Sequence, residues 1–493
     1  MSARLGMYVH QHWAYRRLYA ARTWSFTDWN AYAGGLAALG YDSLMIWPVL
    51  ETIPDPPTAS DLAHLDKLRH VIDMLHVEYG MEVLITLGAN TVGNKHASEY
   101  PFEERPFFRC DERLDPGDPK AMERLMHVRR ALLQPLAGAD GFVIIDSDPG
   151  GWAGSTNEEF VAILQQHRNL LDELNPAATI TYWLWVGWAS YNRFWERVES
   201  TGDTHIDVDP NDWVDVISAL PLRDDERWRF FVCSDEHRKL AARLGIDGRS
   251  TYFPYGLVEG EPTFPLTNLS EEAITSHLDG FPWGCAYCGC MANAQTHVVQ
   301  LPNTYLFAHA ARGGTTDSVD LLGFADRLAP GVADLVTAAW TTLANSSTDR
   351  AIAESARAFA QRIESARSLV RLPTDGPLVG LVMNDPDRFL GDLVHQLRFV
   401  ADIADAVRSI VDGGNIAHNL CALTESWGAW SARTGFVDAY LGPVMDRLHP
   451  ALTKLGDTRI NAVLSDFDNW REPAVRNGIV PRLIESIVSY AAR

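Results

Sequence analysis

The sequence predicts a (β/α)8 barrel over residues 1–316 followed by a mainly α-helical domain over 317–493, and three observations carry that fold class. Short apolar runs alternate with long amphipathic stretches eight times in the first part. These runs are apolar almost throughout, as expected of parallel strands covered on both faces. No G-x-G-x-x-G follows the first run, which removes the main support for an open dinucleotide-binding sheet. Beyond Asp317 strand-like runs become scarce and Ala-rich helical stretches take over, at Val332–Ala344, Ala351–Leu369 and Leu393–Asp412.

Taken in order, Leu5–His10 is the first strand and Thr27–Leu39 the first helix, with Thr27 as its N-cap. Ser43–Pro48 is the second strand. Asp61–Tyr79 places Leu65, Leu68, Val71, Ile72 and Leu75 at helical spacing, and Gly80 supplies the stop. Glu82–Leu87 is the third strand, Asp118–Leu136 a helix, and Gly141–Ile145 the fourth strand. Glu158–Leu174 is helical and Thr179–Val186 is the fifth strand. Trp213–Ala219, Ser250–Tyr255 and Cys285–Ala292 complete the set as strands six, seven and eight.

Composition narrows the partners. Hydrophobic residues make up 46% of the chain and charged residues 22%, which is ordinary for a globular protein. A formal net charge of −22 repels nucleic acid and anionic membranes, so a neutral substrate suits the chain better than a polyanion. The six cysteines form no disulfide scaffold in a chain this long. Cys285, Cys288 and Cys290 form a C-x2-C-x-C group with no second pair to complete a tetrahedral metal site, so thiols packed on a strand are expected there. No signal-like apolar run opens the sequence and no stretch is long and apolar enough to span a bilayer, so a cytoplasmic location is expected.

In a barrel of this kind chemistry sits at the C-terminal ends of the strands. Those positions are polar here. The first strand ends in His10-Gln11-His12-Trp13, the second in Trp47 and Glu51, and the third in Asn90. The fifth delivers Trp185 and Trp188, and the seventh Tyr255, then Glu259 and Glu261. The eighth delivers Asn293, Gln295 and His297, with Gln300 and Asn303 beyond, a neutral polar group able both to donate and to accept. The 16 tryptophans are core filler or flat apolar platforms, and Trp13, Trp47, Trp152, Trp185 and Trp188 lie near strand ends.

The fourth strand carries the densest signal. Phe142-Val143-Ile144-Ile145 is a buried run, so Asp146 emerges at its end and Asp148 just beyond. Pro149-Gly150-Gly151 forces a turn and allows close backbone approach. Two carboxylates this close repel, which favours holding one protonated near neutral pH, as a general acid requires. A metal pair, an N-cap or a loop staple would use the same residues.

The run from Ala139 through Gly141-Phe142-Val143-Ile144-Ile145-Asp146-Ser147-Asp148-Pro149-Gly150-Gly151 resembles the strand-four region of barrel glycoside hydrolases of the hexosaminidase and α-glucuronidase type. The likeness is one of architecture over roughly residues 1–315. It implies that a carboxylic acid after strand four protonates the leaving oxygen, a role that falls to Asp148, with Asp146 orienting it or the sugar. Many other barrel glycosidases place a second carboxylate after strand seven, and Glu259 or Glu261 matches that position. The Asp-Ser-Asp spacing departs from the adjacent Asp-Glu pair of the hexosaminidases, which weakens the case for acetamido-assisted chemistry. The substrate-contact set is then His10, His12, Trp13, Trp47, Glu51, Asn90, Trp152, Trp185, Trp188, Tyr255, Asn293, Gln295 and His297.

Two rival readings use the same barrel. His10-x-His12 matches the opening of metal-dependent amidohydrolases, whose bound ion activates water. This chain lacks their histidine after strand five and offers Asn293 in place of the aspartate after strand eight. A non-catalytic sugar-binding barrel is the other. The expectation from sequence is thus a glycosidase acting on a small oligosaccharide or glycoside, with no cofactor or metal and no nucleic-acid or membrane partner. The helical domain would serve as packing or as a homo-oligomer contact.

Overall fold

The computed structural model describes residues 4–11, 16–203, 205–255, 266, 269–278, 288–294, 296–314, 319–344, 348–435, 441–468 and 473–493. His12, Trp13, Glu259, Glu261 and Gln295 lie outside the described residues, and of His10 only the backbone is described.

Eight parallel strands close into a barrel. They are β1 (Arg4–His10), β2 (Ser43–Trp47), β3 (Glu82–Gly88), β4 (Gly141–Ile145), β5 (Thr179–Leu184), β6 (Trp228–Val232), β7 (Ser250–Tyr252) and β8 (Gly289–Ala294). The register sets Gly88 of β3 beside Ile145 of β4, and Ile145 beside Trp183 of β5, so these strand ends rise to one level. Inside, Tyr8, Met45, Leu84, Val143, Trp183, Phe231 and Met291 pack with Trp47, Ile145 and Phe253 into one apolar cluster. The barrel is filled by side chains, so a substrate meets only its ends.

One predicted strand is corrected. Trp213–Ala219 lies in a helix, Pro210–Ala219, and the sixth strand is instead β6. Asp209 caps that helix by accepting from the Asn211 amide and Pro210 fills its first turn, signals that outweigh the β-branched Val214, Val216 and Ile217. The first helix, α1 (Phe26–Leu39), is capped by Ser25 and not by Thr27: the Asp28 amide donates to Ser25 Oγ at 3.1 Å, and Asp28 accepts from the Ser25 amide at 2.9 Å. α2 (Ala59–Met74) starts two residues before the predicted Asp61, after a capping box formed by Thr58 and Asp61.

By compactness the chain divides into two units. One holds Met1–His12, Gly40–Tyr255 and Gly280–Asn293, and the other Trp13–Leu39, Gly256–Asp279 and Ala294–Arg493. The second unit thus takes in α1 together with the C-terminal helices, among them Ala333–Ala344, Arg350–Arg367, Pro386–Val411 and Ile416–Thr434. Within it Asp392, 2% exposed, accepts from Tyr19 Oη, Arg388 and Arg433. Among the described residues no helix is long and apolar enough to cross a membrane.

Candidate active site

At the C-terminal end of β4 two carboxylates a residue apart meet opposite environments. Asp146 is fully buried and surrounded by donors. Its Oδ2 accepts from Tyr182 Oη at 3.0 Å, from the Trp185 and Gly187 amides at 3.2 and 3.1 Å, and from Trp213 Nε1 at 3.2 Å. Its Oδ1 accepts from the Val186 amide at 3.1 Å and Ser147 Oγ at 2.9 Å. Burial raises this carboxyl above its ordinary range, and the hydrogen bonds oppose that rise. Four of the six partners are N–H groups that can only donate, so the arrangement suits a carboxylate better than an acid. Asp146 therefore ties the β5–helix turn to the end of β4.

Asp148 points the other way. It is exposed, and among the described residues its carboxyl makes no hydrogen bond or ion pair. Protein nevertheless crowds around it, and the loss of surrounding water raises its carboxyl above the usual range. The turn that presents it needs glycine. Gly151 has φ +84°, and a Cβ there would sit 2.9 Å from both the Tyr191 ring and Asn192 Oδ1.

Asn90 holds this turn from the next strand. Its Oδ1 accepts from the Gly151 amide at 3.0 Å, and its Nδ2 donates to the carbonyls of Gly151 at 3.1 Å and Leu114 at 2.6 Å. Glu51 is fully buried beneath the same rim. It accepts from Trp47 Nε1 at 3.0 Å and from the Gly88 amide, and Arg129 Nη2 lies 3.8 Å away. Arg129 also donates to the carbonyls of Gly88 and Thr91, at 2.7 and 2.9 Å. Asn90 and Glu51 are thus occupied in holding strand ends.

The tryptophans divide in the same manner. Trp188 is fully buried, stacked on Phe160 at 4.9 Å and donating to Ser155 Oγ at 3.0 Å. Trp47, 5% exposed, belongs to the barrel core. Trp185 and Tyr255 are partly buried on top of that core, edge to face at 4.7 Å, and Trp152 is 37% exposed. Trp185, Tyr255 and Trp152 therefore offer ring surface to a ligand. Asn293 is fully buried. His297, in the second unit, is fully buried, with Nδ1 3.0 Å from Tyr32 Oη and its ring against Trp24. Gln300 and Asn303 accept from the Thr296 and Ser270 amides, so these two amides are used within the same unit.

The sequence reading did not single out Asp111 and Arg113. They lie on a short antiparallel ribbon, Thr91–Gly93 with Asp111–Arg113, inserted between β3 and β4. Arg113 stacks over the Trp195 ring at 4.1 Å. Burial pushes the Asp111 carboxyl up to about 6, with Arg113 opposing and the charges of Glu51 and Asp148 adding to the rise. In sequence, Asp111-Glu112-Arg113 has the look of a solvated charged loop, and only alternation along the ribbon separates its two faces. Among the described residues no group of three His, Cys, Asp or Glu side chains could hold a metal ion.

No family model matches the chain, and no curated protein matches it. Solved structures resemble the chain. A family 89 glycoside hydrolase from Clostridium perfringens matches with TM-score 0.50 and 9% identity, covering 99% of this chain and 64% of its own. A family 115 4-O-methyl-α-glucuronidase with specificity for decorated arabinogalactans matches with TM-score 0.46 and 11% identity, over 90% of this chain and 60% of its own. The chain spans less than two thirds of the length of either. The first of these likenesses is one of fold: a (β/α)8 barrel with helices beyond it.

Proposed function

We propose that the chain hydrolyses a glycosidic bond in a small oligosaccharide or glycoside, with Asp148 as the general acid. The observation that carries this reading is the Asp148 carboxyl. It stands open at the end of a barrel strand, unpaired among the described residues, and crowded enough to hold its proton above the ordinary carboxylate range. A protonated carboxyl in that place can give its proton to a leaving oxygen while the anomeric C–O bond breaks. Asp146 and Asn90 keep the turn in place, so the acid is presented by a rigid support. Trp185, Tyr255 and Trp152 would provide surfaces for the flat apolar faces of a sugar, and the charge of −22 suits a neutral one. The fold shared with a family 89 glycoside hydrolase supports the same class.

The reading includes a cytoplasmic location, which fits the free thiols of Cys110, Cys233, Cys288, Cys290 and Cys421. It also includes self-association through the helical unit, on whose surface Leu369 and Val411 are 84% and 52% exposed. Activity on a panel of aryl glycosides and natural oligosaccharides tests the proposal. Asp148→Asn is expected to lower turnover of a responsive substrate by about 10²–10⁴-fold with the fold intact. Full activity in that variant would remove Asp148 from the role.

A further inference from the structure

We propose that Asp111, carried on the ribbon between β3 and β4, is the second carboxyl group of this site and acts as its general base; the inference rests on the glycosidase reading above. The ribbon is short, and its alternation assigns faces. Glu112 is held by Arg124 through paired hydrogen bonds of 3.1 and 3.0 Å, so Asp111 and Arg113 project to the opposite side. Both ends of that strand are fixed. The Asp111 carbonyl accepts from Asn94 Nδ2 at 2.9 Å. Leu114, next after Arg113, exchanges hydrogen bonds with Asn90, its amide donating to the Asn90 carbonyl at 2.9 Å.

Asn90 is also the residue that clasps Gly151, so a single side chain fixes the ribbon against the turn that carries Asp148. A second link reaches the same place. Arg113 lies on Trp195, and Trp195 shares its helix, Trp188–Thr201, with Tyr191, whose ring crowds Gly151.

Among the described residues, the neighbouring carboxylates Asp146 and Glu51 are excluded by their partners. Asp146 accepts six hydrogen bonds, and Glu51 is buried against Gly88, Trp47 and Arg129. Asp111 shares with Asp148 the lack of any partner from another residue for its carboxyl among the described residues. Its half-buried position, with Arg113 the nearby cation, gives it a proton affinity suited to a base near neutral pH.

The step balances without a cofactor. The Asp111 carboxylate takes a proton from water, and the water oxygen bonds to the anomeric carbon. The bond from that carbon to the leaving oxygen breaks, and the leaving oxygen takes the Asp148 proton. Solvent then carries one proton from Asp111 back to Asp148. Attack by water from the face opposite the leaving group inverts the anomeric configuration.

The test compares Asp111→Asn and Asp148→Asn on a natural glycoside and on its dinitrophenyl analogue, whose leaving group needs no acid. Asp148→Asn should lose the natural substrate and keep most turnover of the analogue. Asp111→Asn should lose about 10²–10⁴-fold on both. Azide, a nucleophile that needs no base, should restore Asp111→Asn turnover of the analogue and yield a glycosyl azide. Product anomers read by NMR should be inverted, and thermal melts should show Asp111→Asn folded. Wild-type rates in Asp111→Asn, or a product of retained configuration, would overturn the role of Asp111 and leave the glycosidase standing. A wild-type protein that cleaves no glycoside would overturn both.

Discussion

The floor and the rim of the barrel mouth are built from the same residue types and put to opposite use. On the floor, Asp146, Glu51 and Asn90 are fully buried and spend their polar atoms on strand ends and turns. On the rim, Asp148 and Asp111 carry carboxyls without side-chain partners among the described residues. Asp392 in the helical unit follows the floor pattern, taking Tyr19, Arg388 and Arg433 around one buried carboxylate. Saturation of a buried carboxylate marks a support, because its removal strands several donors away from water. An open carboxyl crowded by protein has no such structural return, and its raised proton affinity points to chemistry.

The sharpest way to break that distinction is to exchange the consequences. Asp148→Asn should cost the most activity, about 10²–10⁴-fold, while shifting stability by no more than about 0.5 kcal/mol, read by steady-state kinetics and denaturant titration. Asp146→Ala should do the reverse first. Six stranded donors in the core are expected to cost about 3–5 kcal/mol in denaturant-induced unfolding. Equal stability losses in the two variants would erase the difference between floor and rim.

A pH comparison sharpens the rim itself. The Asp111 carboxyl is raised to about 6 in the fold, above its value in the unfolded chain, with Arg113, Glu51 and Asp148 as the charges that bear on it. The folded state therefore binds this proton more tightly. Its contribution to stability is full at low pH and is lost as pH climbs through about 6. Relative to the wild type, Asp111→Asn should gain in melting temperature between acid and neutral pH. A constant difference across that window would mean that Asp111 titrates normally. For kcat/KM, the alkaline limb should follow ionisation of the Asp148 acid and the acid limb protonation of Asp111. Smallest of all, Asn90→Ala should cost about 1–2 kcal/mol through its lost hydrogen bonds to Gly151 and Leu114 and lower kcat more than it alters KM, because its side chain is taken up in positioning the rim.

Much of this was legible beforehand. The buried run Gly141–Ile145 is a strand with the bounds its composition suggests, and the Pro-Gly-Gly that follows makes the turn that presents Asp148. Helices followed their caps where apolar patterns were ambiguous. Trp213–Ala219 shows why a short apolar run misleads: β-branched residues suit a strand, yet an Asp-Pro start begins a helix, and Trp213 then donates its indole N–H to Asp146. Asp111 and Arg113 left no trace in the sequence, since a charged triplet in a loop reads as surface until a partner strand fixes which side chains share a face.

The sequence by itself determined the periodicity of strand and helix, hence a barrel with polar C-terminal strand ends, and it marked Asp146 and Asp148 as a pair. Only the tertiary structure decided between them. Which carboxylate is filled with donors and which stays open depends on groups far along the chain, Tyr182, the amides of Trp185 to Gly187, and Trp213, brought together by strand register and barrel closure. Local sequence can place a carboxyl at a strand end, but the hydrogen bonds that set its charge come from elements that meet it only in the fold.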